Sequence, residues 1–252
     1  MGVDPAAQEP APGPASGRGP ADADPERDVA LVIDGGVRDW ERIDAAYQSG
    51  ELDDAGWFDA IQAVVVPHYL AGDNPRAQSG HSGDDARWEA ARRHVLSAVD
   101  GPGTFLDVGC ASGYLMETVH RWAAEDGIAL EPYGLDLSPE LAELARCRLP
   151  HWADRIWTGN ALYWTPPDGL RFDYVRTGLE YVPRARCGDL IAHLLDNVVG
   201  RRLVLGTHNE ERDRPEWTDL VAALGYRIVG TDVRPHPDHR VVRRVFWIDR
   251  ES

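Results

Sequence analysis

Lysine is missing from this chain of 252 residues; its 26 basic side chains are all arginines, set against 42 carboxylates, for a formal net charge of −16. That bias, with abundant Ala, Gly, Pro and Asp, is what a GC-rich genome produces, and it reads as mutational. The acidity excludes a class of partner. A protein that neutralises many phosphates needs a basic surface, and pairs such as Arg201-Arg202 and Arg243-Arg244 are too small to supply one. Nucleic acid is therefore disfavoured. Cysteine is scarce as well. Cys110, Cys147 and Cys187 lie far apart with no C-x-x-C pair, so neither a disulfide framework nor a zinc site follows. No apolar run approaches the roughly 20 residues that cross a bilayer, and the N-terminus lacks the apolar core of a secretion signal. A reducing cytoplasm without membrane attachment is the expectation. Other catalytic signatures are absent too: there is no G-x-S-x-G elbow, H-E-x-x-H helix or Walker loop.

Three regions are legible in what remains. Residues 1–28 carry almost no large apolar side chain and cannot offset their ordering entropy, so a disordered tail is expected. Over 29–83 the pattern predicts a helical cap followed by an active-site loop. Trp40, Ile43 and Tyr47 recur at helical spacing, Asp54 reads as a cap, and Phe58, Ile61 and Val65 continue the stripe. Pro67 to Gly83 reads as a turn-rich loop. Over 84–252 apolar strands alternate with helices, which implies parallel strands joined by right-handed crossovers. Strands are expected at 104–108, 131–135, 155–157, 172–175 and 202–206. Two closing strands, 226–229 and 244–248, follow around a polar hairpin at Pro235–His239. Two motif-like stretches carry no chemistry: Thr165-Pro166-Pro167-Asp168 reads as a loop, and His236-Pro237-Asp238-His239 as a hairpin tip.

The stretch Thr104-Phe105-Leu106-Asp107-Val108-Gly109-Cys110-Ala111-Ser112-Gly113-Tyr114-Leu115 organises the rest. It is a strand, a tight glycine turn and a helix start, where backbone donors and a partial positive charge meet a ligand. A second strand ends in Asp136, whose carboxylate can accept two hydrogen bonds from ribose hydroxyls. Together they describe a nucleoside-containing ligand across the strand ends. A dinucleotide fingerprint wants G-x-G-x-x-G. Here the spacing is Gly109-x-x-x-Gly113 behind an acid, Asp107, which would repel a diphosphate and suit a cationic amino-acid moiety.

These residues resemble motif I of the class I S-adenosylmethionine-dependent methyltransferases, D-V-G-C-G-x-G, with Ala111 where a glycine is commonest. The resemblance covers about residues 84–250. It implies an α/β fold: a Rossmann-like, seven-stranded, mostly parallel sheet with helices on both faces, here beneath the N-terminal cap. It also implies S-adenosyl-L-methionine as cofactor, held by Asp107, Gly109, Cys110, Ala111, Ser112 and Gly113, with Asp136 on the ribose. Gly159-Asn160-Ala161 resembles the family's G-D-A segment, so Asn160 would meet the adenine amino group while Leu137 and Ala161 flank the ring. The segment before the first strand commonly lies over the cofactor, which makes Tyr69, His81 and Arg87 candidates. Arg176 to Pro183 resembles the "LE-x-VP" segment that passes beneath the cofactor, bringing in Thr177, Glu180 and Tyr181.

Methyl transfer from a sulfonium is an in-line displacement, to which orientation can contribute on the order of 7–11 kcal/mol. A base is needed only when the acceptor loses a proton early, and is then worth roughly 10²–10⁴-fold. The candidates are Glu180, Tyr181 and His208; for His208 a role satisfied by loop backbone stays equally open. The expected function is methyl transfer to O or N of a small molecule, as in secondary metabolism. A protein or tRNA methyltransferase, or a non-catalytic cofactor-binding protein, are the alternatives. Acceptor and oligomeric state leave no mark in the sequence.

Overall fold

A computed structural model of the chain describes residues 1, 40–206, 216–236 and 242–250. The tail expected over 1–28 lies, Met1 apart, outside the described residues, as do His208 and the hairpin tip at 237–241. Seven strands form one sheet: β1 (Gly103–Val108), β2 (Leu130–Asp136), β3 (Ile156–Thr158), β4 (Phe172–Thr177), β5 (Val199–Gly206), β6 (Gly230–Pro235) and β7 (Val242–Asp249). Their order is β3-β2-β1-β4-β5-β7-β6, with β7 antiparallel to both neighbours and the other pairings parallel. The expected architecture is present. The order reverses beside β1, so the β1–β4 edge is the switch point where open α/β sheets bind ligands.

Strand side chains alternate between two cores, as a period of two requires. Leu106, Val108, Val175, Leu203, Leu205 and Phe246 face one side, and Phe105, Tyr174, Val204 and Val245 the other. On the first side they meet α1 (40–48), α2 (Asp54–Leu70) and α6 (Cys187–Asn197) through Ile43, Trp57, Phe58, Ile61, Leu190 and Leu194. On the second they meet α3 (Asp85–Arg92) and α4 (Tyr114–Glu125) through Trp88, Leu115, Val119 and Trp122. The remaining helices are α5 (Pro139–Arg148) and α7 (Glu216–Ala223). Because α1 and α2 share a core with the sheet, their inner face is fixed over the strand ends.

Three boundaries differ from expectation. Asp53 caps α2, its side chain accepting from the Gly56 amide at 2.8 Å. Asp54 is the first helical residue, and its carboxylate accepts instead from the Tyr47 and Tyr163 hydroxyls at 2.7 and 3.0 Å and pairs with Arg186. The helix then runs through Pro67 to Leu70. Proline removes one ladder donor, a cost met near the helix end, where Ala71 still bonds the Pro67 carbonyl at 3.1 Å. Finally, the edge strand is 230–235, not 226–229. Its residues are mostly exposed and polar, and β7 alone sets its register.

Candidate functional site

A crevice with a cavity volume of about 120 Å³ opens at the carboxyl ends of the strands, roofed by α1 and α2. Its floor is the turn after β1. Gly109 (φ 77°) and Gly113 (φ 73°) take the left-handed conformation that glycine adopts freely, and Ala111 (φ 47°) shares it without being glycine. A Cβ on Gly109 would sit 2.7 Å from the Tyr181 ring, so the aromatic ring rests directly on that backbone. The Gly109 and Cys110 amides both donate to the Leu135 carbonyl, at 2.7 and 3.1 Å, and tie the turn to β2.

Asp136 closes β2 and is 7% exposed. Its Oδ2 accepts from the Ala111 amide at 2.7 Å and its Oδ1 from the Ser138 amide at 2.9 Å. Each oxygen keeps a second lone pair, and the side chain lines the crevice. Burial raises its pKa to about 6 against the pull of those two amides. Ser138 also caps α5, accepting from the Leu141 amide at 3.2 Å, with Pro139 in the first helical position. Leu137, Gly159, Asn160 and Ala161 continue this wall. Asn160 Oδ1 accepts from the Leu162 amide at 3.0 Å, which fixes the orientation of the side-chain amide.

The opposite end is built by β4 and the segment after it. Glu180 is 8% exposed and lines the crevice with Tyr181. Beneath them lies a charged cluster. Asp107 and Arg176 are register partners on β1 and β4, both nearly inaccessible, with Nη1 and Oδ1 at 3.4 Å. Arg176 Nη1 also donates to the Tyr181 hydroxyl at 2.9 Å. Burial pushes Asp107 up to about 7, outweighing that one long contact. Burial works against the charge of Arg176 too, but Tyr181, Asp107 and Glu180 outweigh it and hold its pKa above the ordinary value. Burial raises the Tyr69 and Tyr181 hydroxyls, so both stay protonated donors.

The candidates therefore separate. Gly109, Ala111, Asp136, Leu137, Asn160, Ala161, Tyr69, Glu180 and Tyr181 meet around one crevice. Others named from the turn serve it from behind. The Cys110 thiol packs into the core against Met116 and Gly134, and Gly113 lies under Leu149 of the α5 end, where a Cβ would meet Cδ1 at 2.7 Å. Ser112 shares a hydrogen bond with Ser79 at 2.8 Å and donates to the Pro75 carbonyl at 2.9 Å, fastening the 72–83 loop to the turn. Asp107 faces Arg176 and does not line the crevice. Thr177 is buried, and His81 packs edge-on to Trp88 with centroids 5.3 Å apart; neither they nor Arg87 line the crevice.

Sequence reasoning missed Arg176 and Arg92, while Trp40, Phe58, Ile61 and Val65 of the expected cap do line the crevice. Arg92 is buried, stacks 5.4 Å from the Trp88 ring centre, and its charge is felt at Tyr69 and Asp107. The signal for Arg176 was a charge between the buried Val175 and Thr177 of a strand that also carries Asp173, legible only once β1 and β4 are known to be neighbours. Among the described residues, no cluster of His, Cys, Asp and Glu could hold a metal ion, and no helix is long and apolar enough to cross a membrane.

No family model and no curated protein matches the sequence. Solved structures do. A 1,6-didemethyltoxoflavin-N1-methyltransferase from Burkholderia thailandensis, bound to 1,6-didemethyltoxoflavin and S-adenosylhomocysteine, superposes with TM-score 0.58 at 17% identity, over 80% of this chain and 92% of that one. The N-methyltransferase NodS from Bradyrhizobium japonicum WM9, in complex with S-adenosylhomocysteine, gives 0.56 at 16% identity, over 75% and 98%. Magnesium protoporphyrin IX methyltransferase (ChlM) from Synechocystis PCC 6803, with bound S-adenosylmethionine, gives 0.52 at 18% identity, over 79% and 98%. Identity this low speaks for architecture alone, and on architecture the chain has the fold of the class I S-adenosylmethionine-dependent methyltransferases.

Proposed function

We propose that the chain is an S-adenosylmethionine-dependent methyltransferase that methylates O or N of a small molecule. Asp136 carries the reading. Two backbone amides aim its carboxylate into the crevice and leave a free lone pair on each oxygen, the arrangement a ribose diol needs. The rest of the wall fits the same ligand. Leu137 and Ala161 offer apolar contact to a base, Asn160 a fixed amide, and Gly109 a backbone surface beside Tyr181. The absence of a third glycine in the turn speaks against a diphosphate.

In this reading the bound cofactor supplies a methyl group on a sulfonium. Asp136 and the turn fix the cofactor at one end, and α1 and α2 exclude water from the other. Glu180 and Tyr181 stand at the acceptor end; His208, which follows β5 in sequence, is kept as a further acceptor-side candidate. The acceptor enters under the roof and is held with its lone pair toward the methyl carbon, so that positioning is the main catalytic contribution.

Calorimetric titration with S-adenosylhomocysteine tests the reading. Saturable binding is expected, with NAD producing none. Asp136→Ala should weaken binding by about 1.5–3 kcal/mol, the usual worth of hydrogen bonds to a charged group. Binding of NAD in preference to the thioether would overturn it.

A further inference from the structure

Resting on that methyltransferase reading, we propose that the acceptor is a flat aromatic molecule, neutral or cationic and never anionic, whose reacting N–H or O–H group is received by Glu180. Shape comes first. Trp40, Trp57, Phe58, Ile61, Val65 and Val66 make the roof an apolar surface. Trp57 meets Trp40 and Phe58 edge-on, with centroids 6.3 and 5.2 Å apart. Burial of Phe58 and Trp57, and the hydrogen bond from Trp57 Nε1 to Asp44 at 2.7 Å, hold these rings in place. Rings so fixed accept another ring by stacking or edge contact.

Charge comes second. The ionisable side chains lining the crevice are Tyr69, Asp136, Glu180 and Tyr181; among the described lining residues none is Arg, Lys or His. Asp136 belongs to the ribose end, so among the described lining residues Glu180 is the carboxylate at the acceptor end. Its location is built in. A Cβ on Gly178 would fall 2.6 Å from Cδ, Oε1 and Oε2 of Glu180, so the carboxylate folds over a glycine that makes room for it. Trp40 Nε1 donates to the Glu180 carbonyl at 3.2 Å and couples the roof to this residue. Arg176 supports the charge from behind while engaged with Asp107 and Tyr181. An anionic acceptor would bring a third negative charge into a largely buried space beside Asp136 and Glu180, a costly arrangement.

The step balances without a further reagent. An acceptor bound as an ammonium first gives one proton to Glu180, which frees its lone pair, whereas a neutral acceptor gives its proton as it reacts. The lone pair bonds the methyl carbon, the carbon–sulfur electron pair returns to sulfur as the thioether, and Glu180 passes the proton to water.

Three matched probes separate the outcomes: naphthylmethylamine, naphthol and naphthoate, titrated into the full chain saturated with S-adenosylhomocysteine. The amine and naphthol should bind, and naphthoate should bind at least about tenfold more weakly; Glu180→Gln should cost the amine about 10- to 100-fold, as one lost hydrogen bond to a charged group does. The thioether affinity of that variant should stay within about twofold of wild type, which also reports that it folds. Naphthoate binding as well as the amine, in wild type alone, would sink the inference while leaving the methyltransferase reading intact. Failure of S-adenosylhomocysteine to bind wild type would overturn the reading beneath it, and the inference with it.

Discussion

Ala111 holds φ 47° at the centre of the turn, where its amide must point at Asp136. An L-residue in the left-handed region costs roughly 1–2 kcal/mol, offset in part by the larger unfolded-state entropy of glycine, about 0.4–1 kcal/mol. Ala111→Gly should therefore raise stability in urea by between zero and about 1.6 kcal/mol, whereas Ala111→Val, β-branched at positive φ, should lower it. A clear loss in the glycine variant would contradict the strain account. Gly109→Ala faces both penalties, since φ is 77° and the added carbon meets the Tyr181 ring at 2.7 Å. Its expected cost is about 1–3 kcal/mol, with near-ultraviolet dichroism reporting the displaced tyrosine. Both the glycine bend and Asp136 were legible in the sequence, because their spacing follows from local backbone geometry. Arg176 was not. Its role depends on a register partner 69 positions away, and nothing local announces it.

At the scale of elements, Asp54 pins the roof. It accepts from Tyr47 and Tyr163 and pairs with Arg186, joining α1 and α2 to the segments around β3 and α6. Removing the carboxylate takes a shared acceptor from three donors at once. Asp54→Ala should cost about 1–3 kcal/mol and speed hydrogen exchange in α2 well ahead of the central strands. Equal protection in both variants would show that the apolar contacts of Ile43, Trp57 and Ile61 suffice alone. Element identity was largely readable here, since Trp88, Ala91 and Val95, or Leu115, Val119 and Trp122, recur at helical spacing. Boundaries were less so. Pro67 looked like a stop signal but falls where a helix has few donors left to lose, and β6 lacks the apolar alternation that marks a strand, because an exposed edge does not need it.

Across the whole molecule, the buried acids set a pH dependence. Asp107 rises from 3.8 to about 7 and Asp136 from 3.8 to about 6, each chiefly through burial. The folded chain then binds these protons more tightly than the unfolded chain, so their contribution to stability falls as pH rises from about 4 to about 7. The ligand-free protein should melt higher near about pH 5.5 than near about pH 8, and Asp136→Asn should flatten part of that difference. A melting temperature that climbs steadily through this window would contradict it. Ligand binding should run the other way, because ribose hydroxyls donate to the ionised carboxylate: affinity for S-adenosylhomocysteine should improve between about pH 5 and about pH 7.5.

The most direct measurement is a crystal of the full chain soaked with S-adenosylhomocysteine. Density is predicted in the crevice, with both ribose hydroxyls within hydrogen-bonding distance of Asp136 and the base between Leu137 and Ala161. An empty crevice, or the thioether bound with its sugar turned away from Asp136, would contradict the central claim.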